Sequence, residues 1–390
     1  MTDSKKSFNM NNLTAKELSD LVKLVFAPRS EDRNVLLLTD VPNQSVQDID
    51  AWRDRRRIAQ EWLTLFSDIC DSLGFEKIEL AYFENSGSNN ANFPQHAFFW
   101  RGAAEDANFS LLQQEGQRFD LETKLSETQI IFAPTHFSAT APLKLLAKQL
   151  GFRAASMPGF SRAMIPALSI NYEQVHDRVM KIKTRLDEAT GIEMVFEVDN
   201  TTYDFFVDIR HRSGHASSGL IREPGTAWNL PSGESFIVPY EGELAEASKT
   251  EGLLPVQFAH ELVLYRISAN RAVAVESVGA QAEIERQKLR DEPAYGNIAE
   301  IGFGVLEPFG IKPVGVVLLD EKLSLHIAFG RSDHFGGATS PDEFRDPKNV
   351  VHIDRIYLRE LQDRIVVKTL FFANPDGRRE LIMADSKYTI

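Results

Sequence analysis

The segment NVLLLTDVPNQSVQDIDAWRDRRRIAQEWLTLFSDIC, residues 34–70, decides the fold class. It opens on an uninterrupted apolar run at 35–39 that ends in turn residues, a pattern typical of a strand buried on both faces of a parallel sheet. A helix is predicted over 46–73, because its large apolar side chains recur every three to four residues. The four arginines of this helix are predicted to form a solvated face: Arg53, Arg55, Arg56 and Arg57.

The same alternation continues on both sides of this segment. A short amphipathic stretch at 15–26 precedes it, further strands are predicted at 77–83 and 129–133, and further helices at 142–150 and 172–189. Alternating strands and helices at this spacing imply right-handed crossovers and an open parallel sheet. Residues 1–190 are therefore predicted to form an N-terminal α/β domain with a mainly parallel sheet.

Beyond residue 190 the pattern changes to short β-rich segments set off by Gly or Pro. They lie at 192–198, 204–209, 235–238, 262–267 and 271–278, with a helix near 280–290. This pattern predicts a mostly antiparallel, β-rich α+β domain over residues 191–390. The total of 390 residues also suits two domains of ordinary size.

Charge and composition narrow the class of protein. The 43 Lys and Arg against 56 Asp and Glu give a net charge of −13, which disfavours a nucleic-acid partner. No apolar run is long enough to span a membrane, and the first residues lack the apolar core of a signal peptide, so we expect a cytoplasmic protein. The single cysteine, Cys70, rules out thiolate metal clusters, so any metal must be held by His, Asp and Glu.

Four segments after residue 220 concentrate side chains that can bind metal. They are NLPSGE at 229–234, GNIAEIGFG at 296–304, LDEKLSLHIAFG at 319–330 and VHIDRI at 351–356. A carboxylate inside an apolar run, as at Glu300, is unfavourable to bury unless a cation or hydrogen bonds offset its charge. If 351–356 is a strand, His352 and Asp354 share a face, because alternate side chains point the same way.

Each motif alone has an ordinary structural explanation: a turn glutamate, a core histidine or a hydrogen-bonded His–Asp pair. Together they supply three glutamates, two histidines and one aspartate. Such hard ligands suit Zn, Co or Mn, or non-haem iron. The joint pattern therefore predicts a metal site in the C-terminal domain.

The four motifs, in this order, resemble those of the thermophilic aminopeptidase family, peptidase family M29 of the aminopeptidase T and aminopeptidase S type. That family shows N-x-P-S-G-E, A-E-x-G-x-G, D-E-K…H-I-A-x-G and a late H-x-D, which match 229–234, 299–304, 320–330 and 352–354 of this chain. The resemblance implies a homodimer or larger homo-oligomer. It also implies a dinuclear centre with six metal ligands: Glu234, Glu300, Glu321, His326, His352 and Asp354.

One departure from the family pattern follows the H-I-A-x-G segment. The family's aminopeptidases usually have a tyrosine there that is thought to assist catalysis, whereas this chain reads RSDHFGG at 331–337. His334 is the candidate to replace that tyrosine as a catalytic hydrogen-bond donor. The segments at 24–29 and 37–42 look more like relatives of the family, the 2,5-dihydroxypyridine 5,6-dioxygenases, mononuclear iron enzymes that open a pyridine ring.

Two reactions follow from this resemblance. The first is hydrolysis of an amide or peptide bond in a small-molecule or peptide substrate, by water activated with two divalent ions (Zn, Co or Mn). Glu300, in the most apolar setting, is expected to bridge the ions and carry the proton, because burial raises the pKa of a carboxylate. The alternative is a ring-cleaving dioxygenase with one Fe(II), held by the 2-His-1-carboxylate set His326, His352 and Asp354.

Two questions stay open at the level of sequence. A catalytically silent scaffold with the same residues is a third interpretation, which metal analysis would separate from the two enzymes. Four further histidines are either structural or candidate bases: His136, His211, His215 and His260.

Overall fold

The computed structural model describes residues 12–390, which form two compact units. The first consists of the described residues up to His176 together with Gly219–Ser232, and the second of Asp177–Ser218 and Gly233–Ile390. The sequence suggested a single division at residue 190. The chain instead returns to the first unit, because Thr226–Asn229 pairs in parallel with Arg153–Ser156. A pairing between segments so far apart in sequence leaves no local signal.

Helices and strands alternate through the first unit, and strands predominate in the second. The α-helices of the described residues are α1 (Ala15–Phe26), α2 (Asp50–Leu73), α3 (Phe109–Glu115), α4 (Leu121–Ser126), α5 (Thr140–Leu150), α6 (Ile165–Leu168), α7 (Tyr172–Glu188), α8 (Ala280–Asp291) and α9 (Val317–Asp320). The strands of the first unit and the start of the second are β1 (Asn34–Val41), β2 (Lys77–Glu84), β3 (His96–Phe99), β4 (Gln117–Asp120), β5 (Ile130–Ala133), β6 (Arg153–Ser156), β7 (Gly191–Val198), β8 (Thr201–Asp208), β9 (His215–Ser217) and β10 (Thr226–Asn229). The later strands are β11 (Glu234–Ile237), β12 (Glu251–Phe258), β13 (Glu261–Ser268), β14 (Arg271–Val275), β15 (Ile298–Gly304), β16 (Leu325–Gly330), β17 (His352–Ile356), β18 (Ile365–Ala373), β19 (Arg379–Ala384) and β20 (Lys387–Tyr388).

The first unit contains a seven-stranded sheet in the order β10-β6-β5-β1-β2-β3-β4. The strands from β10 to β2 are parallel, and β3 and β4 complete the sheet in antiparallel pairing. All of β1 except its first residue is buried, as the apolar run predicted. The predicted α/β class with a mainly parallel sheet is therefore confirmed.

Helix α2 corrects the prediction that its arginines form a solvated face. Arg55 and Arg56 are buried, 4% and 0% exposed, because they lie three and four residues after the buried Trp52 on the same side of the helix. Arg56 pairs with Asp48 at 2.8 Å, and Arg55 donates from Nε to the carbonyl oxygen of Phe160 at 2.8 Å.

The second unit contains two antiparallel sheets. The smaller has the order β17-β16-β15-β11-β9, and the larger the order β14-β13-β12-β8-β7-β18-β19-β20. The predicted β-rich, mostly antiparallel domain is confirmed, and α8 lies where a helix was predicted. No helix within residues 12–390 is both long enough and apolar enough to cross a bilayer.

Candidate metal centre

Five of the six predicted ligands project from one face of the five-stranded sheet. Directly opposite residues on paired strands share a face, and so do alternate residues along a strand. Gly302 on β15 lies opposite His326 on β16, and Ala328 lies opposite both Glu300 and Asp354. His352 lies two residues before Asp354 on β17 and therefore projects from the same face. Glu234 on β11 lies opposite Gly304 on β15, so it projects from this face as well. The sixth predicted ligand, Glu321, begins the 3-10 turn Glu321–Leu323 just before β16.

The six side chains approach one another closely. Glu300 links both histidines: its Oε1 is 3.2 Å from Nε2 of His326, and its Oε2 is 3.4 Å from Nε2 of His352. Glu234 Oε2 lies 3.6 Å from Nε2 of His326. Asp354 Oδ1 lies 3.7 Å from Nε2 of His352. The structure thus assembles all six residues that the sequence motifs identified.

Two donor triads within this cluster are close enough to hold a metal ion. The first is Glu234, Glu300 and His326, and the second is Glu321, His326 and Asp354; in each, one ligand atom per residue lies within 4.8 Å of the others. Glu234 Oε2 is buried and has no hydrogen-bond partner in the part of the chain that the structure describes. In the metal-free protein the charged His326 lies 3.6 Å from this oxygen. Once His326 is neutral, a buried carboxylate oxygen without a hydrogen bond is unfavourable unless a metal ion offsets its charge. The donor set and this oxygen fit divalent metal ions.

Two glycines of the A-E-x-G-x-G motif make room for the site. A Cβ on Gly302 would lie 2.0 Å from Nε2 of His326, so only a residue without a side chain lets this imidazole lie across β15. A Cβ on Gly304 would lie 2.1 Å from the backbone carbonyl carbon of Lys322 and would push away the turn that carries Glu321. The motif's glycines therefore serve steric clearance rather than backbone flexibility.

Lys322 is a further residue of the site, to which the sequence motifs assigned no function. It is 1% exposed, and its Nζ donates to Glu234 Oε1 at 2.5 Å and to Glu321 Oε1. Its burial left little signal in the sequence, because Lys322 directly follows the two acidic residues Asp320 and Glu321. Its neighbour Asp320 has a different function: its carboxylate accepts hydrogen bonds from the backbone N–H groups of Val314 and Gly315 and holds the preceding loop.

The carboxyl groups of Glu300 and Glu321 differ in pKa because their charged neighbours differ. Burial alone would raise the pKa of Glu300, but hydrogen bonds from His326 and His352 outweigh it, so the pKa of Glu300 is lowered and the group stays anionic. This corrects the physical basis on which Glu300 was expected to carry the proton. Burial, with repulsion from Glu234 and Asp354, raises the pKa of Glu321 to about 8 despite the nearby Lys322. Glu321 is therefore the carboxyl group able to hold a proton near neutral pH.

The two histidines are cationic in the metal-free protein. Burial alone would lower both pKa values, but hydrogen bonding to Glu300 and the surrounding carboxylates raise the pKa of His326 to about 10 and that of His352 to about 9. Because these values exceed the ordinary histidine value of 6.5, the charged histidines stabilise the fold fully below about pH 6.5. That stabilisation is lost as the pH rises through 9 to 10.

A pH dependence of metal binding follows from these charges. Imidazole must be neutral and a carboxyl group ionised to bind a metal, so we expect loading at pH 7 to release about three protons per chain, two from the histidines and one from Glu321. Calorimetric titrations in buffers of different ionisation enthalpy measure this number. We also expect the melting temperature of the metal-free protein to fall between pH 7 and pH 10. Proton release near zero at pH 7 would contradict the assignment of the two histidines as ligands.

His334 lies at the edge of the cluster. Its ring centre is 5.1 Å from that of His352, at an interplanar angle of 84°, and its Nδ1 is buried without a hydrogen-bond partner among residues 12–390. Burial, the charge on His352 and Arg331 lower the pKa of His334 to about 4, so the ring is neutral at pH 7. A neutral imidazole can donate a hydrogen bond to a bound substrate.

The loop that carries His334 is fixed by one carboxylate. Glu241 accepts hydrogen bonds from Ser332 Oγ at 2.5 Å and from the backbone N–H and the hydroxyl of Thr339 at 3.0 and 2.7 Å. Arg212 donates to the carbonyl oxygen of Gly336 at 2.9 Å. The loop therefore holds His334 at a defined place beside His352.

The four other histidines named from the sequence lie in different parts of the structure. His136 stacks on Trp52 in the first unit, at 4.3 Å between ring centres, and His260 is exposed in the turn between β12 and β13. The ring of His211 lies 5.3 Å from that of Tyr240. His215 belongs to the sheet of the site, where it stacks on Phe236 at 4.8 Å.

Comparisons with known proteins show the fold. No family model and no curated protein matches the chain. The 2,5-dihydroxypyridine dioxygenase from Pseudomonas putida KT2440 superposes with a TM-score of 0.60 at 14% identity, covering 96% of each chain. AmpT from Thermus thermophilus superposes with a TM-score of 0.54 at 14% identity, covering 98% of this chain and 100% of its own. Both relatives implied by the motif resemblance are thus found among proteins of the same fold.

Proposed function

We propose that this protein is a metal-dependent hydrolase that cleaves an amide or peptide bond with water activated by two divalent ions, Zn, Co or Mn. One observation carries the proposal: two donor triads of mixed carboxylate and imidazole overlap at His326, and the buried Glu234 Oε2 within them has no hydrogen-bond partner among the described residues. A single ion held by the histidines and Asp354 would leave that oxygen unsatisfied. Two ions use every carboxylate of the cluster.

The chain's own residues have distinct functions in this proposal. Bound divalent ions supply Lewis-acid polarisation of a carbonyl and lower the pKa of a water molecule. Glu300 is anionic and lies between the two histidines, so it would hold an ion together with Glu234 and His326. Glu321 carries a proton in the metal-free protein and gives it up when it binds an ion, and His334 donates a hydrogen bond to the substrate. The substrate class is a small molecule or a peptide.

A second candidate function has one observation in its favour. His326, His352 and Asp354 lie on one face of the sheet as a 2-His-1-carboxylate set, the ligand type of non-haem Fe(II) oxygenases. In that case the three glutamates surround the ligands and carry protons instead of binding a second ion. The likeness of fold to a dioxygenase is compatible with this alternative and does not decide it.

Metal content and reaction type separate the two candidates in one preparation. The protein is purified without chelator, its metals are counted, and it is assayed on aminoacyl amides and peptides in parallel with oxygen uptake on hydroxylated pyridines. About two Zn, Co or Mn ions per chain with amide hydrolysis would support the proposal. One Fe with oxygen uptake would establish the alternative, and no metal with no activity would establish the scaffold interpretation.

Asp354→Asn is expected to keep the fold and weaken metal binding, because it removes a negative charge while preserving shape. We expect turnover to fall by at least about 100-fold, the scale on which loss of even a supporting group of a metal site is felt. Metal stoichiometry and the melting temperature of the metal-free variant are the measurements.

The matched control is Asp342→Asn, which makes the same change at an exposed position of the second unit. It should retain the metal and the activity. A lower melting temperature of metal-free Asp354→Asn with unchanged metal content would show instead that Asp354 is a structural residue.

A further inference from the structure

Lys322 touches one carboxylate of each donor triad. Its ammonium donates to Glu234, which belongs to the triad with Glu300 and His326, and to Glu321, which belongs to the other. The lysine is buried, so solvent does not screen its charge. A fixed positive charge therefore lies beside both candidate ion positions.

We propose that Lys322 makes the two positions unequal, so that the protein binds one divalent ion tightly and a second one weakly; this inference rests on the proposed two-ion function. With neutral histidines and all four carboxylates ionised, as metal binding requires, the carboxylates and the ammonium carry a net charge of minus three. One divalent ion brings the charge to minus one. A second ion then has little negative charge left to bind and lies close to the ammonium. Without Lys322, the same second ion would enter a site of charge minus two.

The contacts also indicate which position fills first. Glu234 uses Oε1 for Lys322, while its buried Oε2 has no hydrogen bond within the described chain and lies 3.6 Å from Nε2 of His326. The triad containing Glu234 is fully buried, whereas Glu321 and Asp354 of the other triad are partly exposed. An ion at the second position must share Glu321 with the ammonium, and it cannot use His326 once the first ion has taken that imidazole, because a neutral imidazole has only one acceptor nitrogen. The first ion therefore belongs to the Glu234 triad.

Occupancy of the second position would then follow the concentration of free metal. If hydrolysis needs both ions, Lys322 sets the metal concentration at which the protein becomes active. The lysine is in this respect a positioning and affinity-setting residue, because it contacts the ligands and does not touch the substrate.

The test is a calorimetric titration of the metal-free protein with Zn²⁺ or Mn²⁺, compared with Lys322→Met and Lys322→Gln. In the unchanged protein we expect a tight first event and a second at least about tenfold weaker, because a buried like charge at this range strongly opposes the second ion. Both variants should bind the second ion at least about tenfold more tightly. The metal-free variants should melt at a lower temperature, and saturating metal should restore it, because the ions replace the missing cation.

The control is Lys288→Met, which removes another lysine paired with a buried glutamate, Glu285, in the same unit. It should leave both binding events unchanged. A variant that does not fold without metal is purified with metal, and the ions are counted after gel filtration; two retained ions where the unchanged protein retains one support the inference.

Two outcomes would overturn the inference, and they differ in meaning. Equal affinity of both ions in the unchanged protein, or an unaltered second affinity in both Lys322 variants, would overturn the function of Lys322 while leaving two-ion hydrolysis in place. Failure of the unchanged protein and of every variant to bind any divalent ion would overturn the inference together with the proposed function.

Discussion

Replacing His326 by alanine is expected to abolish specific metal binding. The imidazole is fully buried and belongs to both donor triads, so its loss removes the only imidazole of whichever triad binds the ion first. We expect metal affinity to fall by more than about 100-fold, the upper end of the loss caused by removing a residue that merely supports a ligand. Metal counting after gel filtration and calorimetric titration are the measurements, and hydrolytic turnover should disappear with the metal.

His260→Ala is the control for this prediction. His260 is exposed in the turn between β12 and β13, so its loss should change neither the metal content nor the melting temperature. Retention of the full metal content by His326→Ala would place the ions elsewhere in the protein.

Gly302→Ala is expected to lower metal affinity and turnover about as much as His326→Ala, although it removes no candidate ligand. The added methyl would lie 2.0 Å from Nε2 of His326, so the ring has to move by more than 1 Å. Misplacement of a reacting group by about 1 Å is enough to lower turnover about 100-fold, and overpacking of a buried site costs about 1–3 kcal/mol of stability. Turnover and metal affinity measure the effect of the misplaced imidazole. Denaturant unfolding of the metal-free protein measures the loss of stability from overpacking.

Gly191→Ala provides a control with the same crowding outside the site. Its Cβ would lie 2.6 Å from the ring of Phe206 in the larger sheet of the same unit. This variant should lose stability and keep its metal. If Gly302→Ala loses only stability as well, the glycine is a packing residue and does not govern the position of His326.

The parallel core of the first unit was predictable because burial of a strand on both faces leaves a continuous apolar run. Strands β1, β2 and β5 all carry that signal. Strands β3, β4, β6 and β10 have four residues each, too few for a period of two to stand out from chance. The return of β10 to the first unit depends on a long-range pairing that no local pattern encodes.

The clustering of the candidate ligands was predictable for a different reason. Metal-binding residues must combine hard donors with glycines and apolar neighbours, so they leave short motifs in the sequence. The burial and the pKa values of other charged residues were harder to predict from the sequence. The burial of Arg55 and Arg56 could have been found from their spacing to Trp52, because three and four residues place side chains on one side of a helix. The lowered pKa of Glu300 depends on two histidines from other strands and could not be found locally.

The register of the five-stranded sheet has a consequence for the folding of the protein. Strands β11, β15, β16 and β17 contribute their ligands through pairings in which Glu234 lies opposite Gly304, Gly302 opposite His326, and Ala328 opposite Asp354. A slip of one residue in any of these strands would turn its ligands to the opposite face of the sheet. A misfolded conformer of that kind would retain every ligand in its sequence and bind no ion. If the cluster binds metal as proposed, the ion would stabilise the one correct alignment of the four strands and leave slipped conformers without that stabilisation.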